Sequence, residues 1–98
     1  MSRVSTYFPG GVVTIGWDIT SIGGSGYWGD VLLDTDETPL IEVPVWYPFK
    51  LFPELDDVLH ALGEYADIIP DEAIDAARLA HDRHTELTFS TTQTPPKK

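Results

Sequence analysis

Cysteine is absent from this 98-residue chain. That excludes a disulfide framework and a cysteine zinc site. It is compatible with any redox compartment and so does not assign one. Basic side chains are scarce: 6 Lys and Arg stand against 16 Asp and Glu, for a formal net charge of −10 and a pI near 4.3. A field of that sign repels phosphate, so a nucleic-acid binder working through an overall basic surface is not expected. Long apolar runs are missing too. No stretch approaches the roughly 18 residues needed to span a bilayer. The segment Met1–Gly11 lacks the apolar run and small-residue cleavage site of a signal peptide. The expectation is a soluble protein that stays where it is made, in the cytoplasm. Apolar residues are not lacking: 42% of the chain is apolar and 11% aromatic, enough for a core and too much for a wholly disordered chain. The length suits one domain. Residues 1–91 are read as a single acidic α+β domain and 92–98, with Pro95-Pro96 and two lysines, as a flexible C-terminal tail.

The first half alternates with period two. Val13, Ile15, Trp17 and Ile19 share one face of a strand that begins after the turn Pro9-Gly10-Gly11, so residues 3–8 are a candidate hairpin partner. Ser21–Gly26 reads as a flexible connection. Tyr27–Asp34 is a further strand, followed by the charged turn Asp34–Pro39. In Leu40–Tyr47 the apolar residues fall at Ile41, Val43, Val45 and Tyr47. Pro44 cannot donate to a ladder, which marks this strand as an edge or a bulge.

The second half changes period. Leu55, Val58, Leu59, Leu62, Tyr65, Ala66 and Ile69 form one stripe at spacings of three and four, which predicts a helix over 54–69. Pro53 suits its first turn, and Glu54, Asp56 and Asp57 complement its positive end. Pro70-Asp71-Glu72 starts a second helix with Ala73, Ile74, Ala77, Ala80 and His81 on one face, ending near Arg83-His84. Thr85–Thr91 alternates again, as a final strand would. The predicted architecture is an antiparallel meander of three to five strands with two consecutive helices packed on one face.

The charge is unevenly placed. Residues 4–77 hold 14 acidic side chains and one basic one, Lys50, for −13. If the odd-numbered strand positions are core, the other sheet face carries Asp18, Asp30, Asp34 and Glu42 together with Trp28 and Trp46, with Asp36 and Glu37 in the adjoining turn. Exposed tryptophans among carboxylates mark a candidate interface. A one-residue slip in register would exchange the faces. The first predicted helix adds Asp56, Asp57, Glu64 and Asp67, and the second adds Asp71, Glu72, Asp75 and Asp82. Carboxylates three, four and seven residues apart span roughly 5–10 Å along a helix, a spacing that imitates a row of phosphates. Solubility alone is the plain alternative for all of this charge.

Motifs for chemistry are few. Asp34-Thr35-Asp36-Glu37 opens like a calcium loop, but Pro39 and Val45 occupy the positions that need glycine and glutamate. His81 and His84 have a spacing that can bind metal, without an identifiable third ligand. Gly23-Gly24-Ser25-Gly26 lacks the Lys-Ser/Thr of a phosphate loop, and no nucleophile elbow is present. The chain is therefore read as non-enzymatic, with no catalytic residue, no metal and no cofactor. In its general composition, though in no motif, it resembles small inhibitors of phage or mobile-element origin, such as anti-CRISPR proteins and other nucleic-acid mimics. That resemblance implies an inhibitor that binds a basic protein surface, on a nucleic-acid-binding protein or nuclease, with no direct nucleic acid and no membrane as partner. The alternatives are an immunity or antitoxin protein neutralising a nuclease toxin, and a structural assembly subunit such as a homodimer. A small enzyme or metal protein would need His81 and His84 to converge with carboxylates in a pocket.

Overall fold

The computed structural model describes residues 2–22, 24–45, 50–79 and 86–90. Five strands form one sheet: β1 (Ser2–Phe8), β2 (Gly11–Thr20), β3 (Gly24–Leu33), β4 (Ile41–Val43) and β5 (Glu86–Ser90). Their order is β4-β3-β2-β1-β5. The first four are an antiparallel meander, and β5 joins β1 in parallel. Between the two edges lie α1 (Leu55–Leu62) and α2 (Asp71–Leu79). A parallel partner needs such a crossover, because a tight hairpin cannot supply one. Helix α1 lies against β3 and β4, and α2 against β1 and β2. The fold is α+β, with both helices on one face of a mostly antiparallel sheet.

The core lies between these layers. Val4, Phe8, Val13, Ile15 and Val31 meet Leu55, Val58, Leu62, Ala73 and Ala77, all buried. Alternation along the strands and three-to-four spacing along the helices bring them together. Phe8 and Tyr65 stack at a tilt, 6.1 Å between ring centroids. Helix α1 approaches β3 where the strand has no side chain: a Cβ on Gly29 would stand 2.8 Å from Val58 Cγ1.

Several expectations are corrected. The helix predicted over 54–69 stops at Leu62, because Gly63 takes φ 63° and ψ −131°, a positive φ that glycine tolerates. A 3-10 turn, Gly63–Ile68, carries the apolar stripe onward and buries Tyr65 and Ile68. The second helix is described as far as Leu79; Arg83 and His84 lie outside the described residues. Gly24, Ser25 and Gly26 belong to β3 rather than to a flexible connection. Gly26 is pressed against the segment after β4, where a Cβ would meet the Phe52 carbonyl at 2.6 Å. Of the strand expected over 40–47, Ile41–Val43 is strand and Pro44 and Val45 are not, since Pro44 has no N–H to continue the ladder; residues 46 and 47 lie outside the described residues. Ile19 and Val45, expected in the core, are 66% and 78% exposed. Burial fades along β2 from Ile15 through half-buried Trp17 to Ile19, and Val45 lies beyond the point where β4 ends.

Candidate functional site

Because the helices cover one face, the other is left open among the described residues. Strand alternation puts Arg3 of β1, Gly16 and Asp18 of β2, Trp28 and Asp30 of β3 and Glu42 of β4 on that open side. Asp18, Asp30 and Glu42 thus share a face, as the sequence predicts. Their settings differ. Asp18 folds back, its Oδ1 accepting the Ile19 N–H at 2.8 Å. Asp30 and Glu42 stand directly opposite each other in the β3–β4 ladder. Thr14, opposite Asp30 on the other side, lies within hydrogen-bond distance of Ser5, 3.3 Å between hydroxyl oxygens.

Trp28 is on this face but is not an exposed tryptophan: it is only 7% exposed. Its ladder partner is Gly16, and the indole lies over that glycine. A Cβ on Gly16 would come within 2.7 Å of Trp28 Cζ2. Beyond Gly16, in register on β1, stands Arg3. Its guanidinium carbon is 5.9 Å from the ring centroid, within cation–π range. A glycine inside a strand is the sequence signal for such a close approach, and Gly16 carried it.

These side chains border a cleft of about 270 Å³, lined by Arg3, Trp28, Gly29, Asp30, Glu42, Val43, Pro44 and Val45. The cleft lies where the chain leaves the sheet edge. A continued β3–β4 ladder would put Val45 opposite Tyr27. Phe52 is there instead, exchanging two backbone hydrogen bonds with Tyr27 at 2.7 and 3.0 Å. The intervening excursion begins at Pro44, after a cis Val43–Pro44 peptide. Burial pushes the Asp30 carboxyl above its ordinary value; the Arg3 charge opposes that shift and the Glu42 charge adds to it. Among the described residues, no hydrogen bond or ion pair engages the carboxylates of Asp30 or Glu42.

The other predicted residues lie elsewhere. Asp34, Asp36 and Glu37 are exposed in the β3–β4 turn, which is tied down by the Asp34 N–H donating to the Gly10 carbonyl at 2.9 Å and the Asp36 N–H donating to Leu33 at 3.0 Å. Asp56, Asp57, Glu64 and Asp67 are exposed on the helical layer, with Asp71, Glu72 and Asp75. That layer covers the opposite face of the sheet, so the predicted acidic residues form two surfaces facing different ways. Asp56 is partly neutralised by Arg78, at 2.6 Å. Trp46, His81, Asp82 and His84 lie outside the described residues. Among the described residues no three His, Asp or Glu side chains gather as a metal site, and no helix is long and apolar enough to cross a membrane. In comparisons with known protein families, with curated proteins and with solved structures, none matches this chain.

Proposed function

We propose that this chain is an acidic binding protein that docks on a basic, nucleic-acid-binding protein and blocks it, as anti-CRISPR-like and other nucleic-acid-mimic inhibitors of phages and mobile elements do. The open sheet face is the docking surface. One observation carries the reading: Asp30 and Glu42 oppose each other on the face turned away from the helices, with no basic group in ion-pair range among the described residues. Like charges directly opposite in a ladder are destabilising. A basic partner converts that repulsion into attraction and gains on-rate from the surrounding negative field. The acidic helical layer adds to the field from the far side and repels phosphate.

The test is affinity capture at low and at moderate salt, with wild type and with Asp30→Lys/Glu42→Lys. The expected catch is a nucleic-acid-binding protein, held by wild type, released by salt, lost with the charge reversal and inhibited by the purified chain. A catch unaffected by both charge reversals refutes the docking face. The identity of the catch separates a general inhibitor from an immunity protein dedicated to one nuclease toxin.

A homomeric assembly is the second reading. It is favoured by the apolar end of the β2–β3 hairpin, where Ile19 and Ile22 are 66% and 60% exposed. Sedimentation of wild type against Ile19→Ser/Ile22→Ser tests it: a dimer that the double substitution dissociates supports it, and a monomeric wild type refutes it.

A further inference from the structure

We propose that the cleft beside Pro44 is a receptor for one arginine side chain of the partner protein. The inference rests on the docking reading above and assigns it an anchoring subsite.

Size sets the scale of the occupant. About 270 Å³ falls just under the range of pockets that hold drug-sized molecules and suits a single long side chain. Charge sets its sign. Among the described residues the lining has two carboxylates, Asp30 and Glu42, against one cation, Arg3. Arg3 is already placed over the indole of Trp28 and is not in ion-pair contact with either carboxylate. An entering anion would meet two like charges; an entering cation meets two acceptors not engaged by any described residue.

Shape favours guanidinium over ammonium. Cross-strand Cβ atoms in directly opposed pairs are about 4.5–5.5 Å apart, so Asp30 and Glu42 offer two acceptor groups side by side. The planar guanidinium fork has donors on two edges and reaches both, whereas an ammonium acts as a point charge. Pro44 and Val45 supply an apolar wall along which the methylene stem lies. Trp28 supplies an aromatic wall. A desolvated arginine in a central pocket is a frequent anchor of protein interfaces.

The probe is N-acetyl-arginine-N-methylamide, which carries no charge but the guanidinium. It is titrated into the 15N-labelled chain at low salt and followed by amide and indole NMR shifts. Saturable shifts are expected at Trp28, Asp30, Glu42 and Val43. Affinity is expected to fall about tenfold or more in Asp30→Asn/Glu42→Gln, the loss that goes with a charge-assisted pair. These near-isosteric changes leave the fold in place, which the remaining amide spectrum verifies. The lysine analogue is expected to bind several-fold more weakly. Scattered, non-saturating shifts, unchanged affinity in the double variant, or equal binding of the lysine analogue overturns the inference. Acetate shifting Arg3 and Trp28 in place of the arginine probe overturns it as well, by making the cleft an anion site. Partner capture is scored separately: capture lost on charge reversal without any arginine binding ends the subsite inference and leaves the docking reading standing.

Discussion

Arg3 and Trp28 meet across Gly16: the guanidinium carbon stands 5.9 Å from the indole centroid, and the residue between them in the sheet has no side chain to part them. The contact joins three strands on the open face. It also places a positive charge near Asp30 without pairing with it. The cleft therefore has a wall made by β1, although its carboxylates come from β3 and β4.

Filling Gly16 breaks this arrangement. A Cβ there meets Trp28 at 2.7 Å on one side and the Ser2 carbonyl on another. Gly16→Val is expected to destabilise by about 1–3 kcal/mol, the usual cost of overpacking, and to expose the Trp28 ring. Urea denaturation gives the first number, and acrylamide quenching of tryptophan emission checks the second. Unchanged stability and quenching contradict the described position of the ring.

The strand and helix layers were legible because their periods differ. Alternation at Val13 and Ile15 and the spacing of Leu55, Val58 and Leu62 follow directly from which face is buried. The limits of those patterns were less legible. Ile19 and Val45 continue the alternation but outrun the layer that would cover them. Gly63 interrupts a stripe whose apolar spacing gives no warning. At the candidate site, Asp18, Asp30 and Glu42 were assigned to one face by parity alone. The setting of Trp28 was not, because its ring lies over a glycine of the neighbouring strand and beside an arginine of the strand beyond.

Asp30 gives the chain an inverted pH dependence at one position. Burial holds its folded pKa above the ordinary carboxylate value, so the folded chain keeps this proton at a pH where the unfolded chain has lost it. Stability from this group is full below the unfolded pKa and is lost as pH rises through the folded one. Asp30→Asn removes the titration. The variant is expected to match wild type in acid and to become the more stable of the two as pH rises past the carboxylate range. Urea midpoints from pH 3 to pH 7 (a range set by the ordinary carboxylate values) measure the difference. A variant less stable than wild type at neutral pH would falsify the burial argument.

Gly29 and Val58 are expected to be coupled. A Cβ on Gly29 would stand 2.8 Å from Val58 Cγ1 and 3.4 Å from Leu62 Cδ1. Gly29→Ala alone is expected to cost about 1–3 kcal/mol, and Val58→Ala alone a similar amount from the cavity it leaves. In the double variant the new methyl group occupies part of the space that valine vacated. The double-mutant cycle is therefore expected to show a loss smaller than the sum of the two, by at least about 0.5 kcal/mol. Strict additivity means that α1 does not rest on β3 at this glycine.

The two acidic surfaces make different predictions for a bound partner. Residues at the centre of an interface set mainly the rate of dissociation, whereas charges outside it act on association through the field. If the partner sits on the open sheet face, Asp30→Lys/Glu42→Lys speeds dissociation. Asp57→Lys/Asp67→Lys on the helical layer then slows association only, and added salt removes that effect. Arg78→Ala frees the Asp56 carboxylate and is expected to speed association slightly. Because the Arg78–Asp56 pair is solvent-exposed, the same change costs at most about 1 kcal/mol of stability. Surface-bound kinetics at two ionic strengths measure all three variants. Faster dissociation from the helical-layer reversal, with the sheet-face reversal neutral, moves the interface to the helices and removes the cleft from it.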